Sequence, residues 1–101
     1  MAYSYLYSIY GPKAKTLDID FIHRMDCSSL SIIEKMIDKN INSPLASSCG
    51  RLFDAISSLI GIRDEISYEG QAAMELESFC ASGMKERYKF SIYKERREIY
   101  Y

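Results

Sequence analysis

The residues best suited to chemistry lie between Asn42 and Gly70. Ser47, Arg51, Asp54 and Ser58 fall at i, i+4, i+7 and i+11, so a helix carries them in one polar line. Ala46, Ser47, Ser48, Cys49 and Gly50 are all small, which lets a ligand approach the backbone closely. A helix beginning there also offers free N–H groups to an anion. This is binding chemistry. No nucleophile with its base is visible: His23 is the sole histidine, no serine stands in a G-x-S-x-G string, and Cys27, Cys49 and Cys80 have no placed base. His23 reads as structural or solvated. A polar stripe is ordinarily a solvated helix face. Asp54 can also pair with Arg51, three residues earlier, a contact of only a few tenths of a kcal/mol.

The helix that would position this line is easy to place. Pro44 bars helix just before itself, and Ser47 or Ser48 can cap the first turn. Leu52, Phe53, Ile56, Leu59 and Ile60 recur at helical spacing and are expected to form its buried face. Gly61 supplies a left-handed residue to end it.

Around this element the pattern is mainly helical, with about five helices in all. Met1–Tyr10 sets Tyr3, Leu6, Tyr7 and Tyr10 on one face, stopped by Gly11 and Pro12. Asp18 can cap a short helix carrying Ile19, Ile22 and Met25. Asp26 to Ser29 offers several caps for a third helix with the stripe Leu30, Ile33, Met36 and Ile37, which Asn40 can terminate. A fifth helix follows Gly70, with Ala72, Ala73, Leu76, Phe79 and Cys80 on one face and Gly83 at its end. Tyr88, Phe90 and Ile92 then alternate with Lys89, Ser91 and Tyr93. That period of two predicts a strand, a charged turn at Lys94–Arg97, and a small C-terminal β-hairpin returning through Glu98–Tyr101.

Composition bounds the rest. A chain of 101 residues holds one small domain at most. With 13 basic and 14 acidic residues, no field favours nucleic acid or an acidic membrane surface. No apolar run reaches membrane-spanning length and no signal peptide opens the chain. Three cysteines without a C-x-x-C pair predict free thiols and a cytoplasmic setting. With one histidine, a self-contained metal site is not expected. Nine tyrosines and four phenylalanines are many for this size and suggest aromatic packing surfaces.

The string S-P-L-A-S-S-C-G-R-L-F-D-A-I-S-S-L-I-G, followed by S-Y-E-G-Q-A-A-M-E-L-E, resembles the HypF carbamoyltransferases of hydrogenase maturation. The resemblance is clear from Ile41 to Glu77 and extends weakly back to M-A-Y-S-Y-L. It covers part of the family's C-terminal carbamoyl-transfer domain, so residues 1–101 read as a single partial domain, a fragment, with Met1 not required as a natural start.

The resemblance implies an actin-like ATPase-type fold with a nucleotide held between two lobes. In the related threonylcarbamoyladenosine-forming family the matching helix bears G-x-x-F-D, whose aspartate contacts the ribose. Gly50, Phe53 and Asp54 match it, with Arg51 inside the string. Asp54 is thereby expected to accept hydrogen bonds from two ribose hydroxyls. Gly70 is the nearest match to a loop glycine near the same nucleotide, and the relative's second glycine stands here as Gln71. The implied nucleotide-binding set is Asp54, Gly70, Gly50 and Arg51, with no catalytic residue in the chain.

The implied ligand of the parent is ATP or carbamoyl-adenylate. The parent's metal ion would be held by an upstream H-H-x-x-H-like motif that this chain lacks. The implied reaction moves a carbamoyl group to the C-terminal cysteine of a HypE-like partner, in making the cyanide ligands of nickel–iron hydrogenase. The remainder of HypF is the second implied partner, and the fragment alone is expected to self-associate and to lack turnover. The other reading is a stand-alone helical protein-interaction module without catalysis.

Overall fold

The computed structural model describes residues 1–95 and 98–100. Five α-helices follow one another: α1 Ala2–Tyr10, α2 Asp20–Arg24, α3 Cys27–Asp38, α4 Cys49–Leu59 and α5 Gln71–Ser78. A 3₁₀ helix, Gly11–Thr16, joins α1 to α2, with Pro12 in its first turn.

The helix boundaries follow local chemistry. Asp26 caps α3 by accepting from the Ser29 N–H at 3.1 Å. Of the two candidate caps for α4, Ser48 is the one used, accepting from the Arg51 N–H. Both long helices end in the same way. Asn40, at φ 53°, follows α3, with Asn40 N–H donating to Ile37 and Ile41 N–H to Met36. Gly61, at φ 82°, follows α4, with Gly61 N–H donating to Ser58 and Ile62 N–H to Ser57. These are Schellman closures, which satisfy carbonyls the last turn would otherwise leave free. Asp18, the expected cap of α2, does not serve; Ile19 occupies that position without a side-chain bond. Helix α5 ends at Ser78 rather than Gly83.

The core is small. Ala2, Tyr3, Ala14, Phe21, Leu30 and Ala55 are buried together, with Leu6, Ile22, Ile33 and Leu59 packed at their margin. Helix α4 rests against α1, α2 and α5. It does so with a face the hydrophobic pattern did not indicate. Ala55 and Ser57 are buried, whereas Leu52, Phe53, Ile56 and Ile60 are 39–61% exposed. The expected buried face of α4 therefore points outward. Ala55 is buried in one cluster with Ala2 and Tyr3 of α1.

The expected fold class needs correction in its β part. The alternating segment Tyr88–Ile92 forms no strand, and the fold is a helical one without the hairpin expected there. Tyr88 and Phe90 are exposed, so no face rewards the alternation with burial. Beyond it only three-residue stretches, Tyr93–Glu95 and Glu98–Tyr100, lie antiparallel. Such a short two-stranded pair is marginal by itself. Arg96 and Arg97 of the expected turn, and Tyr101, lie outside the described residues.

Candidate nucleotide-facing surface

Arg51 projects from the first turn of α4 onto the rim of a groove of about 530 Å³. The groove runs between α1 and α3, floored by Tyr5, Ile33 and Met36 and closed by Ser43–Ala46. Gly50 stands beside it in the same first turn, where an added Cβ would meet only the Ser48 hydroxyl at 3.6 Å. Asp54 is half-buried one turn further along α4 and is not part of that groove. The intrahelical Arg51–Asp54 contact is not made. Among the described residues the ion pairs are Lys15–Glu34, His23–Asp18, Arg24–Asp20, Arg24–Asp64 and Arg63–Glu75. Asp54 therefore keeps its carboxylate uncommitted to a cation among them.

Gly70 belongs to a different element, the turn that opens α5. Its φ of 80° and ψ of 0° are those of the third residue of a type II turn, closed by Gln71 N–H to the Tyr68 carbonyl at 3.3 Å. A Cβ there would meet nothing within 4 Å, so the outer side of the turn is open. The implied set is thus divided between two elements, with Gly50, Arg51 and Asp54 on the first two turns of α4 and Gly70 in the turn that opens α5. An open glycine turn and an unpaired carboxylate fit a polar ligand. Among the described residues no three His, Cys, Asp or Glu side chains gather.

Three polar clusters tie the helices together, and the one made by Arg63, Glu75 and Gln71 reaches the Gly70 turn. Arg24 of α2 donates to Asp20 at 2.8 Å, to the Ser58 carbonyl at 2.8 Å, and to Asp64. Ser58, the last member of the polar line, donates its hydroxyl to Asp64 at 2.7 Å. The Ser58 hydroxyl and then Arg24 hold the Asp64 carboxyl below its ordinary pKa. Arg63 grips Glu75 with two bonds, 2.8 and 2.6 Å, and lowers its pKa likewise. Tyr3 of α1 donates to Glu34 of α3, which also meets Lys15 at 3.3 Å. Ser58 is thus a structural member of the line and Arg51 a surface one.

The sequence pattern did not reveal two partnerships. His23 Nε2 lies 2.8 Å from Asp18 Oδ1, five residues earlier and across the start of α2. Gln71 is a bonding side chain, and here a signal existed: Gln71 and Glu75 stand at i and i+4, a spacing that brings helix neighbours together.

The comparisons with known proteins agree with one another. The family described as "Carbamoyltransferase, Kae1-like Domain, second subdomain" matches residues 1–101, and the chain belongs to this HypF carbamoyltransferase family. A probable carbamoyltransferase HypF of Methanocaldococcus jannaschii is 36% identical over 80 residues, 76% of this chain and 10% of that protein. Carbamoyltransferase HypF2 of Cupriavidus necator is 47% identical over 51 residues, 50% of this chain and 6% of that protein. A crystal structure of full-length HypF in the phosphate- and nucleotide-bound form aligns with a TM-score of 0.75 at 43% identity. That alignment covers 94% of this chain and 15% of that one. The chain is thus a small part of the length of the relatives it matches.

Proposed function

We propose that residues 1–101 form one partial domain of a carbamoyltransferase of hydrogenase maturation and supply one wall of its nucleotide site. The single observation that carries this reading is the likeness, over 94% of the chain, to a HypF described in its nucleotide-bound form. Asp54 would accept hydrogen bonds from the ribose hydroxyls of ATP or carbamoyl-adenylate, and its freedom from the described cations supports that role. Arg51 and Gly50 would border the nucleotide from the first turn of α4, and the open turn at Gly70 from α5. Carbamoyl transfer to the C-terminal cysteine of a HypE-like partner, in the cytoplasm, would need the metal ligands and domains that the rest of HypF supplies. Among the described residues no helix is long and apolar enough to cross a membrane.

The test is Asp54→Ala in the full-length carbamoyltransferase that contains this segment. Nucleotide affinity should fall by about 1.5–3 kcal/mol, the worth of hydrogen bonds to a charged group. Stability without ligand should change by no more than about 1 kcal/mol, as for a surface change that opens no cavity. An Asp54→Ala protein that melts early yet keeps the full ATP-induced rise in melting temperature makes the residue structural and this reading wrong.

A further inference from the structure

Gln71 is only 7% exposed, and both ends of its side-chain amide are occupied. Its Oε1 accepts from the Ser67 N–H at 2.7 Å, and its Nε2 donates to Glu75 Oε1 at 3.1 Å. Its own backbone N–H closes the turn on Tyr68. One residue therefore fastens the Ser67–Gly70 turn twice, by main chain and by side chain. Glu75 is in turn locked by the two bonds from Arg63, which sits in the connection leaving α4. The chain of contacts runs from the end of α4 through Arg63, Glu75 and Gln71 to the turn beside Gly70.

The chemistry calls for an amide at this position. One end must accept from an N–H, and the other must donate to a carboxylate. A carboxylate in its place would still accept from Ser67 but would face Glu75 with like charge.

We infer that Gln71, backed by Glu75 and Arg63, is the positioning residue of the glycine turn, holding Gly70 in the one conformation that leaves its outer face open to the nucleotide. This inference rests on the nucleotide reading above. It gives a role to Gln71, which the nucleotide reading itself leaves without one. The side chain stiffens the turn from below while the glycine keeps its upper side bare. The device fixes geometry and touches no reacting atom.

The experiment uses the full-length carbamoyltransferase carrying this segment, with ATP as the probe. Three variants are compared: Gln71→Glu, the exchange Gln71→Glu with Glu75→Gln, and Asp54→Ala. Two readouts are taken, ATP affinity and amide hydrogen exchange over residues 67–71 without ligand. Gln71→Glu should speed exchange in the turn and weaken ATP by about tenfold, the usual size of a coupling between a site and its support. The exchange variant removes the like charges and regains a hydrogen bond between positions 71 and 75, but gives up one of the two Arg63 bonds, so it should recover both readouts in part.

Unchanged exchange in Gln71→Glu, or faster exchange with unaltered ATP affinity, overturns the inference. If Asp54→Ala still loses affinity in that case, the nucleotide reading stands without it. If wild type fails to bind ATP, both fall. Turn exchange that depends on Gln71 would then describe a structural pin only.

Discussion

The hydroxyl of Tyr3 donates to the carboxylate of Glu34, joining α1 to α3 across thirty-one residues of sequence. Tyr3 is almost fully buried, so this is one of the few polar links made inside the core. Burial first, and the Glu34 bond second, push the Tyr3 phenol well above its ordinary pKa. Tyr3→Phe removes the donor and leaves Glu34 with Lys15. Chemical unfolding should show a loss of about 1.5–3 kcal/mol, the net worth of a hydrogen bond to a charged group.

The same phenol sets an alkaline limit. A folded-state pKa raised above the unfolded value of about 10 contributes stability that is complete below pH 10 and is lost as pH rises beyond it. Wild type should lose stability above that pH more steeply than Tyr3→Phe, as followed by melting temperature across a pH series.

The acid limit has the opposite sign. Glu34, Asp64 and Glu75 all have folded pKa values lowered by their partners, chiefly Tyr3, Ser58 and Arg63 respectively. Their contribution is present above the unfolded carboxylate value of about 4 and disappears as pH falls below it. Arg24→Ala, which deprives Asp64 of its cation, should flatten this acid limb in the same series.

Helix α4 yields a pair of contrasting substitutions in the isolated chain. Ala55 is 1% exposed at the closest approach of α4 to the core, so Ala55→Leu should cost about 1–3 kcal/mol by overpacking. Phe53 is 47% exposed, so Phe53→Ala should cost less than about 1 kcal/mol there. Parallel urea titrations compare them. A larger loss for Phe53→Ala than for Ala55→Leu would mean that α4 is turned the other way.

The outward apolar face of α4, with Leu45 and Phe79 also exposed, should make the isolated chain self-associate. Light scattering at about 100 µM, where contacts of micromolar strength are well populated, should report a mass above 11.7 kDa. A monomer at that concentration would contradict the expectation.

What the sequence showed and hid has a physical pattern. Ser48, Asp26, Asn40 and Gly61 were legible because caps and helix closures are settled within four or five residues. The side of α4 that faces inward was not. Leu52, Phe53 and Ile56 follow helical spacing yet stay 39–47% exposed, whereas Ala55, too small to mark a face in the pattern, is the residue buried at the core. The strand expected at Tyr88–Ile92 failed for the same reason, since alternation marks a face and not the partner that must cover it. The implied site residues came from the resemblance; the grip on Gly70 came from Gln71, Glu75 and Arg63, whose meeting depends on tertiary placement.

The alanine-lined contact of α4 has a bearing on mutational scanning. A library selected on the folding of these 101 residues alone would accept nearly any side chain at Leu52, Phe53 and Ile56 and would reject bulk at Ala55. The same library selected on the intact carbamoyltransferase would turn intolerant at whichever of those positions the rest of that protein covers. The difference between the two tolerance maps would trace, residue by residue, the footprint of the neighbouring subdomain on this helix.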